Sequence, residues 1–352
     1  MANTSGSYDF LSVQVEPLIR DAYENIGIAP EMLTPQKLDS ARRSINLLLL
    51  EWMNKSTNLW TLHSGFLALN EFQSAYVLPN YVSDLTEVNL RSSNRALGGT
   101  PASSNGGIAA NAFDGNAATA CTQDAPDGNI SYDYGAGMSQ NISFCGITSH
   151  ANLTYNLNVE ASNDNANWQN ILTIPAKTFT AGQLYWFDIP TPTNARYYRI
   201  REVGGATLNI SEIYLNNNIT DTVIGSISRN EYLSLPEKKL TGRPSSYYFD
   251  RKITPILNLW PAPSNLYNAI EYSYKKMMQD VGLYTNSLDI PARFYPALTT
   301  GLSYKLSLKY NNQIADMLMG EYQENFSLAT IEDSEDNIIS VIPKWQDGGY
   351  VG

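Results

Sequence analysis

The sequence predicts an α+β fold in which helices and short antiparallel strands enclose an all-β domain. The two ends of the chain carry apolar residues at helical spacing, and the segments on both sides of residues 97–218 alternate like strands. Residues 97–218 contain no helical pattern of useful length and are rich in Asn, Thr, Gly and aromatic residues. We therefore predict one host domain that is interrupted by one guest domain.

The predicted division follows these changes in composition. The host consists of residues 1–96 and 219–335, the guest is 97–218, and residues 336–352 form a C-terminal arm. The arm is acidic, then apolar, then Gly-rich, a pattern typical of a segment that orders on a partner.

Four helices are predicted in the host. The first begins near Pro17 and stops at Gly27. The second covers 35–55, with Pro35 at its first position, and two more with apolar stripes cover 296–310 and 315–329.

Strands are predicted in both parts of the chain. In the host, 59–64 and 65–69 are predicted as a pair of short strands, and 84–91 as a further strand. In the guest, several short strands separated by Asn- and Gly-rich turns, one of them at 162–167 and closed by Trp168, are typical of a β-sandwich.

Composition limits the classes of function. With 352 residues, 43% apolar and 16% charged, the chain is long enough for two or three globular domains. The N-terminus resembles no secretory signal and no apolar run is long enough for a membrane span, so we expect no membrane partner. In that setting Cys121 and Cys145 are expected to be buried, reduced thiols.

The net charge of −11 argues against a protein that grips nucleic acid by neutralising phosphates. The guest alone holds nine acidic and four basic residues, and the host is acidic as well. Such a surface suits DNA that slides past without sequence-specific binding.

The residue types needed for catalysis are scarce. His63 and His150 are the only histidines, and no nucleophile motif or phosphate-binding loop is present. The acidic residues Glu332, Asp333 and Glu335 are interpreted, with Asp336, as a solvated run. We therefore expect no enzyme and name no catalytic residue.

The guest resembles the discoidin-like domains, also called coagulation-factor type C or galactose-binding-like modules. Four blocks carry the resemblance in family order: AFDGNAAT at 112–119, VEASND at 159–164, RYYRI at 196–200 and ISEIY at 210–214. The resemblance implies an eight-stranded jelly-roll sandwich whose two ends meet on one side, which suits insertion into a host loop.

The same resemblance implies a structural calcium ion in the turn after residue 111. Carried over by position, its ligands are Asp114, Asn116, Thr119 and Glu212. Hard oxygen donors at close spacing, with Gly115 permitting a sharp turn, suit calcium. The alternative is a metal-free turn in which Asp114 caps backbone amides.

A glycan site on such a sandwich is expected on the loops at one end, where an aromatic platform meets polar groups. His150, Asn152 and Tyr155 are one candidate cluster. The alternative, which we favour, is that His150 ends a strand and bonds a neighbouring residue.

The host resembles the head-to-tail adaptor, or head-completion, proteins of short-tailed phages. The resemblance lies in ARRSINLLLLEW at 41–52, NLW at 58–60, YVLP at 76–79, GRP at 242–244 and LWPAP at 259–263. It implies a homo-oligomeric ring, commonly of twelve copies, under the portal protein. Such a ring docks the tail and retains packaged DNA.

The sequence thus predicts a structural virion protein of the head-tail neck, made in the host cytoplasm. Its expected partners are further copies of itself, the portal, a downstream tail or nozzle protein, and DNA passing through the lumen. The guest is expected to project outward and to bind a glycan or other virion proteins. The alternative is a carbohydrate-binding adhesion protein of the virion or cell surface.

Overall fold

The computed structural model describes residues 13–55, 59–91, 94–217, 219–264 and 269–333. The predicted arm at 336–352 lies outside these residues. The chain forms two compact units, a helical unit built from both ends of the chain (1–62 and 277–352) and a β unit (63–276).

The described residues form helices α1 (Val15–Glu24), α2 (Pro35–Lys55), α3 (Arg229–Ser234), α4 (Tyr295–Tyr310) and α5 (Ala315–Glu332). The strands before the inserted segment are β1 (Val13–Gln14), β2 (Leu62–Ala68), β3 (Ala75–Val77) and β4 (Val82–Arg91). Those of the inserted segment are β5 (Thr100–Ser103), β6 (Cys121–Thr122), β7 (Asn129–Asp133), β8 (Gln140–Ser149), β9 (Leu153–Ser162), β10 (Gln169–Phe179), β11 (Leu184–Ala195), β12 (Tyr197–Glu202) and β13 (Asn209–Asn216). Those after it are β14 (Asp221–Val223), β15 (Gly225–Ser226), β16 (Thr241–Gly242), β17 (Ser246–Asp250), β18 (Ile256–Trp260), β19 (Ala262–Pro263), β20 (Ala269–Lys276) and β21 (Ser287–Leu288).

Helix α4 is central to the helical unit and packs against α1, α2 and α5. Gly301 permits the close approach, since a Cβ there would lie 2.8 Å from Leu48 and 2.9 Å from Tyr322. The indole Nε1 of Trp52 donates to Tyr322 Oη at 2.8 Å, which joins α2 to α5. The four predicted helices of the host are confirmed, and α2 has the predicted bounds because Pro35 starts it and its apolar stripe continues to Trp52.

The β unit is organised by an eight-stranded sheet in the order β14-β4-β20-β2-β11-β8-β13-β6. Its first four strands come from the host segments and its last four from the inserted segment. A five-stranded sheet, β10-β9-β12-β7-β5, faces those last four strands across a shared apolar core. The predicted β-sandwich and the α+β class are therefore confirmed.

Strand β9 shows how the sequence directs the sandwich. Tyr155, Leu157 and Val159 are fully buried, whereas Asn156 and Asn158 between them are half-buried on the opposite face. The two cysteines lie in the same core as free, buried thiols, as predicted.

The prediction of paired short strands at 59–64 and 65–69 is wrong. Residues Leu59–Thr61 form a single 3-10 turn, and β2 continues through Gly65 without a break. A glycine at position 65 makes room for a neighbouring side chain and does not form a turn. A Cβ at this position would lie 2.6 Å from the ring of Tyr272 on the adjacent β20.

The host and inserted strands are joined where β2 pairs with β11 at Phe66 and Leu184. Beside this pair lies Arg91 of β4, which is only 5% exposed. Its guanidinium carbon lies 4.8 Å from the ring centroid of Phe66 and 5.1 Å from that of Trp186. One side chain thus contacts aromatic rings from both parts of the sheet.

Two carboxylates neutralise Arg91. Its Nε and Nη2 donate to both oxygens of Asp221 at 2.9 and 2.7 Å, and Nη2 also donates to Glu271 at 2.6 Å. Burial raises the pKa of Glu271. Burial also acts to raise the pKa of Asp221, but the hydrogen bonds and the positive charge of Arg91 together have the larger effect, so the pKa of Asp221 is lowered. This cluster, Arg91 with Asp221 and Glu271, is called the junction cluster below.

The compact units group the chain differently from the division predicted from composition. The host strands at 63–91 and 219–276 belong to the same unit as the inserted sandwich. The continuous sheet and the junction cluster account for this grouping.

The interpretation of the acidic run as solvated is wrong for Asp333. This residue is 4% exposed and accepts a hydrogen bond from Arg293, because the end of α5 packs beside the start of α4. Glu335 and Asp336 lie outside the described residues. Across the described part of the chain, the helices lack the length or the apolar character that crossing a membrane requires.

We predict that Arg91→Ala lowers the free energy of unfolding of the β unit by about 3–5 kcal/mol, because two carboxylates lose their buried counter-ion. Chemical denaturation followed by tryptophan fluorescence measures this. The control is Arg251→Ala, whose ion pair with Asp84 is exposed and should contribute less than about 1 kcal/mol. Equal effects of the two variants would contradict the central role of Arg91.

Candidate functional site

The four residues implied as calcium ligands come together in the structure. A 3-10 turn at Ala109–Ala112 leads into the loop, and Gly115 has a left-handed φ of +71°. Asp114 Oδ1 accepts the amide of Asn116 at 2.9 Å, and its Oδ2 accepts the Thr119 hydroxyl at 2.7 Å. The loop is therefore closed by its own side chains.

Glu212 reaches this loop from β13 and is 1% exposed. Its Oε1 accepts the same Asn116 amide at 2.7 Å. Burial, together with the neighbouring Asp114 carboxyl, raises the pKa of Glu212 to about 9. Two carboxyl groups that face each other in this way need either a shared proton or a cation between them.

The donor set fits a hard cation. Asp114 and Glu212 supply carboxylate oxygens, Thr119 a hydroxyl and Asn116 amide and backbone oxygens, which are the donors that calcium prefers. The metal-free alternative also has support, since Asp114 caps the Asn116 amide. A cap needs only one of the two carboxyl groups, whereas either a shared proton or a cation satisfies both.

The loop is also tied to the host strands. The Ala117 amide donates to Asn70 Oδ1 at 2.7 Å, and Asn70 lies in the turn after β2. The Tyr76 hydroxyl bonds the backbone amide and carbonyl of Asn70 at 3.0 and 3.1 Å. A host turn thus fixes the position of the loop.

The cluster of His150, Asn152 and Tyr155 forms no aromatic platform. Tyr155 is fully buried, and its hydroxyl bonds the backbone of Asn209. His150 follows β8, with Nδ1 3.1 Å from Ser211 Oγ, and Asn152 accepts the Ala181 amide at 2.8 Å. These contacts correspond to the structural interpretation of His150.

The opposite end of the sandwich, where β9 turns into β10 and β11 into β12, carries a groove of about 440 Å³. Its lining combines an indole with amide, carboxylate and hydroxyl groups, among them Asn163, Asp164, Asn167, Trp168, Gln169 and Thr193. The sequence indicated the turn and its closing Trp168 but not the groove, because Thr193 joins it from β11, which is distant in the sequence.

One face of the Trp168 indole is covered by the side chain of Arg199. The Arg199 guanidinium lies 4.0 Å from the centroid of its ring, and Arg199 Nε donates to the buried Glu160 at 2.5 Å. With one face of the indole occupied, the other face and the ring edge remain to line the groove.

The turn beside Trp168 is fixed by Asp164. Its carboxylate accepts the amides of Ala166 and Asn167 at 2.9 and 2.8 Å and the Asn167 side chain at 2.7 Å. These hydrogen bonds hold the pKa of Asp164 well below its ordinary value, and the one from the Asn167 amide has the largest effect. The groove wall is therefore ordered and remains anionic at neutral pH.

Among known proteins, solved structures of carbohydrate-binding modules are similar to the inserted segment of this chain. No known protein family matches the chain, and no curated protein matches it. Among solved structures, chitosan-binding module 1 from a Paenibacillus sp. IK-5 chitosanase/glucanase is 23% identical, covering 35% of this chain and 98% of that chain, with a TM-score of 0.30. A Clostridium perfringens module in complex with GalNAc-β-1,3-galactose is 15% identical, covering 36% and 100%, with a TM-score of 0.31.

The family 32 carbohydrate-binding module of Clostridium perfringens NanJ, in complex with galactose, is 16% identical. That alignment covers 36% of this chain and 98% of the module, with a TM-score of 0.30. Identities and TM-scores this low assign no ligand to this chain.

Proposed function

We propose that the inserted sandwich binds a glycan and that the chain acts by binding and not by catalysis. The observation that carries this proposal is the groove lined by Trp168. Sugar recognition needs an aromatic face for the C–H side of a pyranose ring and planar polar groups for its hydroxyls. The groove offers both within one small volume.

Rigidity supports the same proposal. Arg199 and Glu160 fix the indole, and the hydrogen bonds of Asp164 fix the turn that carries Asn163 and Asn167. A preorganised site loses less conformational entropy on binding, which matters for a small ligand with few contacts.

We further propose that calcium binds at Asp114, Asn116, Thr119 and Glu212 with a structural role. The ion would lie between the two facing carboxyl groups and replace the proton that they otherwise need to share. Because the loop is bonded to Asn70, the ion would also stabilise the contact between the inserted sandwich and the host strands.

A second candidate function is the head-to-tail adaptor that the host sequence resembles, located in the virion neck between portal and tail. The observation that favours it is the set of exposed apolar residues on the long helices of the helical unit, including Leu47, Leu50, Met317, Leu328 and Ile331. Such surfaces are typical of proteins that assemble.

For the glycan site, we predict that Trp168→Ala weakens sugar binding at least about tenfold, equivalent to about 1.4 kcal/mol. Trp168→Phe should retain part of the affinity, because an aromatic face remains. Calorimetry with galactosides and chitosan oligomers measures this, and His150→Ala, at the other end of the sandwich, is the control. Loss of binding in the control with full binding in Trp168→Ala would refute this position for the site.

For the metal, we predict that calcium raises the unfolding temperature and that a chelator reverses the effect. Free calcium at roughly 100 times its Kd stabilises a folded state by about 2.7 kcal/mol. Asp114→Ala should abolish the response, whereas Asp188→Ala, an exposed acid on β11, should keep it. A wild-type protein that unfolds at the same temperature with and without calcium would rule the ion out.

For the adaptor role, we predict that the full chain forms a stoichiometric complex with the portal protein of its phage. Size-exclusion chromatography with light scattering, with and without portal, measures the mass. The portal is the essential control, since an adaptor can stay monomeric until it meets the portal. A chain that ignores the portal and still binds sugars would favour the adhesion alternative.

A further inference from the structure

The groove at Trp168 carries one charged group. Of the described residues that line it, Asp164 bears a carboxylate, and the others bear amide, hydroxyl, methyl or indole groups. Asp164 is exposed, and hydrogen bonds from its own turn hold its pKa well below the ordinary value. The groove therefore keeps a full negative charge at neutral and at mildly acidic pH.

Two arginines lie beside the groove, but each is already paired with an acid of its own. Arg199 Nε donates to Glu160 at 2.5 Å, and Arg196 donates from Nε and Nη2 to the two oxygens of Asp133 at 2.6 and 2.7 Å. In the part of the chain that the structure describes, no ion pair includes Asp164. Its charge is therefore unbalanced within the groove.

One oxygen of Asp164 keeps room for a ligand. Oδ1 accepts the amides of Ala166 and Asn167 and the hydroxyl of Ser162, whereas among the described residues Oδ2 accepts only the Asn167 side chain. A carboxylate offers about four acceptor positions, about two on each oxygen. Oδ2 can therefore accept one further hydrogen bond while the turn stays intact.

The indole restricts where a positive group can bind. The Arg199 guanidinium lies 4.0 Å from the centroid of the Trp168 ring and already uses one face for a cation–π contact. A second cation on the opposite face would be repelled by the first, whereas the uncharged C–H side of a pyranose suits that face. A positive group of the same ligand is best placed at Asp164.

We propose that the groove selects sugars that carry a free, protonated amino group, and that Asp164 Oδ2 accepts a hydrogen bond from this amine. The preference rests on the proposed glycan site and adds the chemical class of its ligand. A neutral sugar gains only an uncharged donor at Oδ2, and a sugar with a carboxylate is repelled. The net charge of −11 acts in the same direction at longer range.

Sugars that differ in a single group test the charge of the ligand. Glucosamine is compared with glucose, and galactosamine with galactose, by NMR titration of the full chain at low salt and at a pH at which the amine is protonated. In at least one pair the amine-bearing sugar should bind about three- to fivefold more tightly, as expected for an exposed ion pair. Glucuronic and galacturonic acid should bind more weakly than the neutral sugars. Equal affinities within both pairs would overturn the proposal.

Two variants that each remove one negative charge test the position of the charge. Asp164→Asn, which keeps an oxygen to accept the amides of the turn, should bring the affinity ratio of amine-bearing to neutral sugar to about one. Asp188→Asn, an exposed acid of β11 outside the groove lining, should keep the wild-type ratio. The ratio is informative even if the overall affinity changes, because both sugars bind in the same groove. Equal ratios in the two variants would contradict a role for Asp164.

A third variant adds a positive charge and leaves both the turn and the indole unchanged. Gln169 is exposed at the start of β10 and lines the groove. Gln169→Lys should reverse the preference, so that the acidic sugars bind more tightly than the amine-bearing ones. An unchanged preference in this variant would reject selection by charge.

The glycan site and its charge preference can fail separately. Equal binding of neutral and amine-bearing sugars, weakened in both cases by Trp168→Ala, would leave the glycan site in place and refute the preference. Binding that Trp168→Ala leaves unchanged would refute the glycan site at this position, and the preference with it. Failure of all these sugars to bind would refute both.

Discussion

Arg91 is the side chain on which the connection between the host strands and the inserted sandwich depends. It is buried, contacts aromatic rings on β2 and β11, and is neutralised by carboxylates on β14 and β20. A buried guanidinium is stable only while its counter-ions stay in place, so these strands must hold their register together. The inserted segment is therefore attached by more than its connecting loops, because its strands continue the sheet of the host strands.

Local features of the fold could be predicted from the sequence, and long-range ones could not. The bounds of α2 follow from Pro35 and from apolar spacing that any helix obeys, and the alternation in β9 directs one face inward. The junction cluster brings together Arg91, Asp221 and Glu271, which lie far apart in the chain, and no local pattern relates them. The prediction of two strands that meet at residue 65 is wrong for a similar reason, because the ring that requires Gly65 belongs to β20.

In the candidate sites as well, residues that are close in the sequence could be predicted to act together, and residues that are far apart could not. Asp114 and Thr119 share one loop, but Glu212 could be added only through resemblance to a family, since its burial arises from the sandwich as a whole. The groove at Trp168 includes Thr193 from a separate strand, β11. Exposed and buried apolar residues both occur along α2 and α5, so only the structure shows which of them face outward.

The helical unit is built from both ends of the chain, which sets an order of events during synthesis. Helices α1 and α2 leave the ribosome first, but α4, the helix on which they pack, follows more than two hundred residues later. At about 5–20 residues per second, the apolar faces of the two helices stay uncovered for roughly 12–54 s. The β unit can complete its sheets in that interval. The nascent chain should therefore attract chaperones at its N-terminal helices until its last helices emerge.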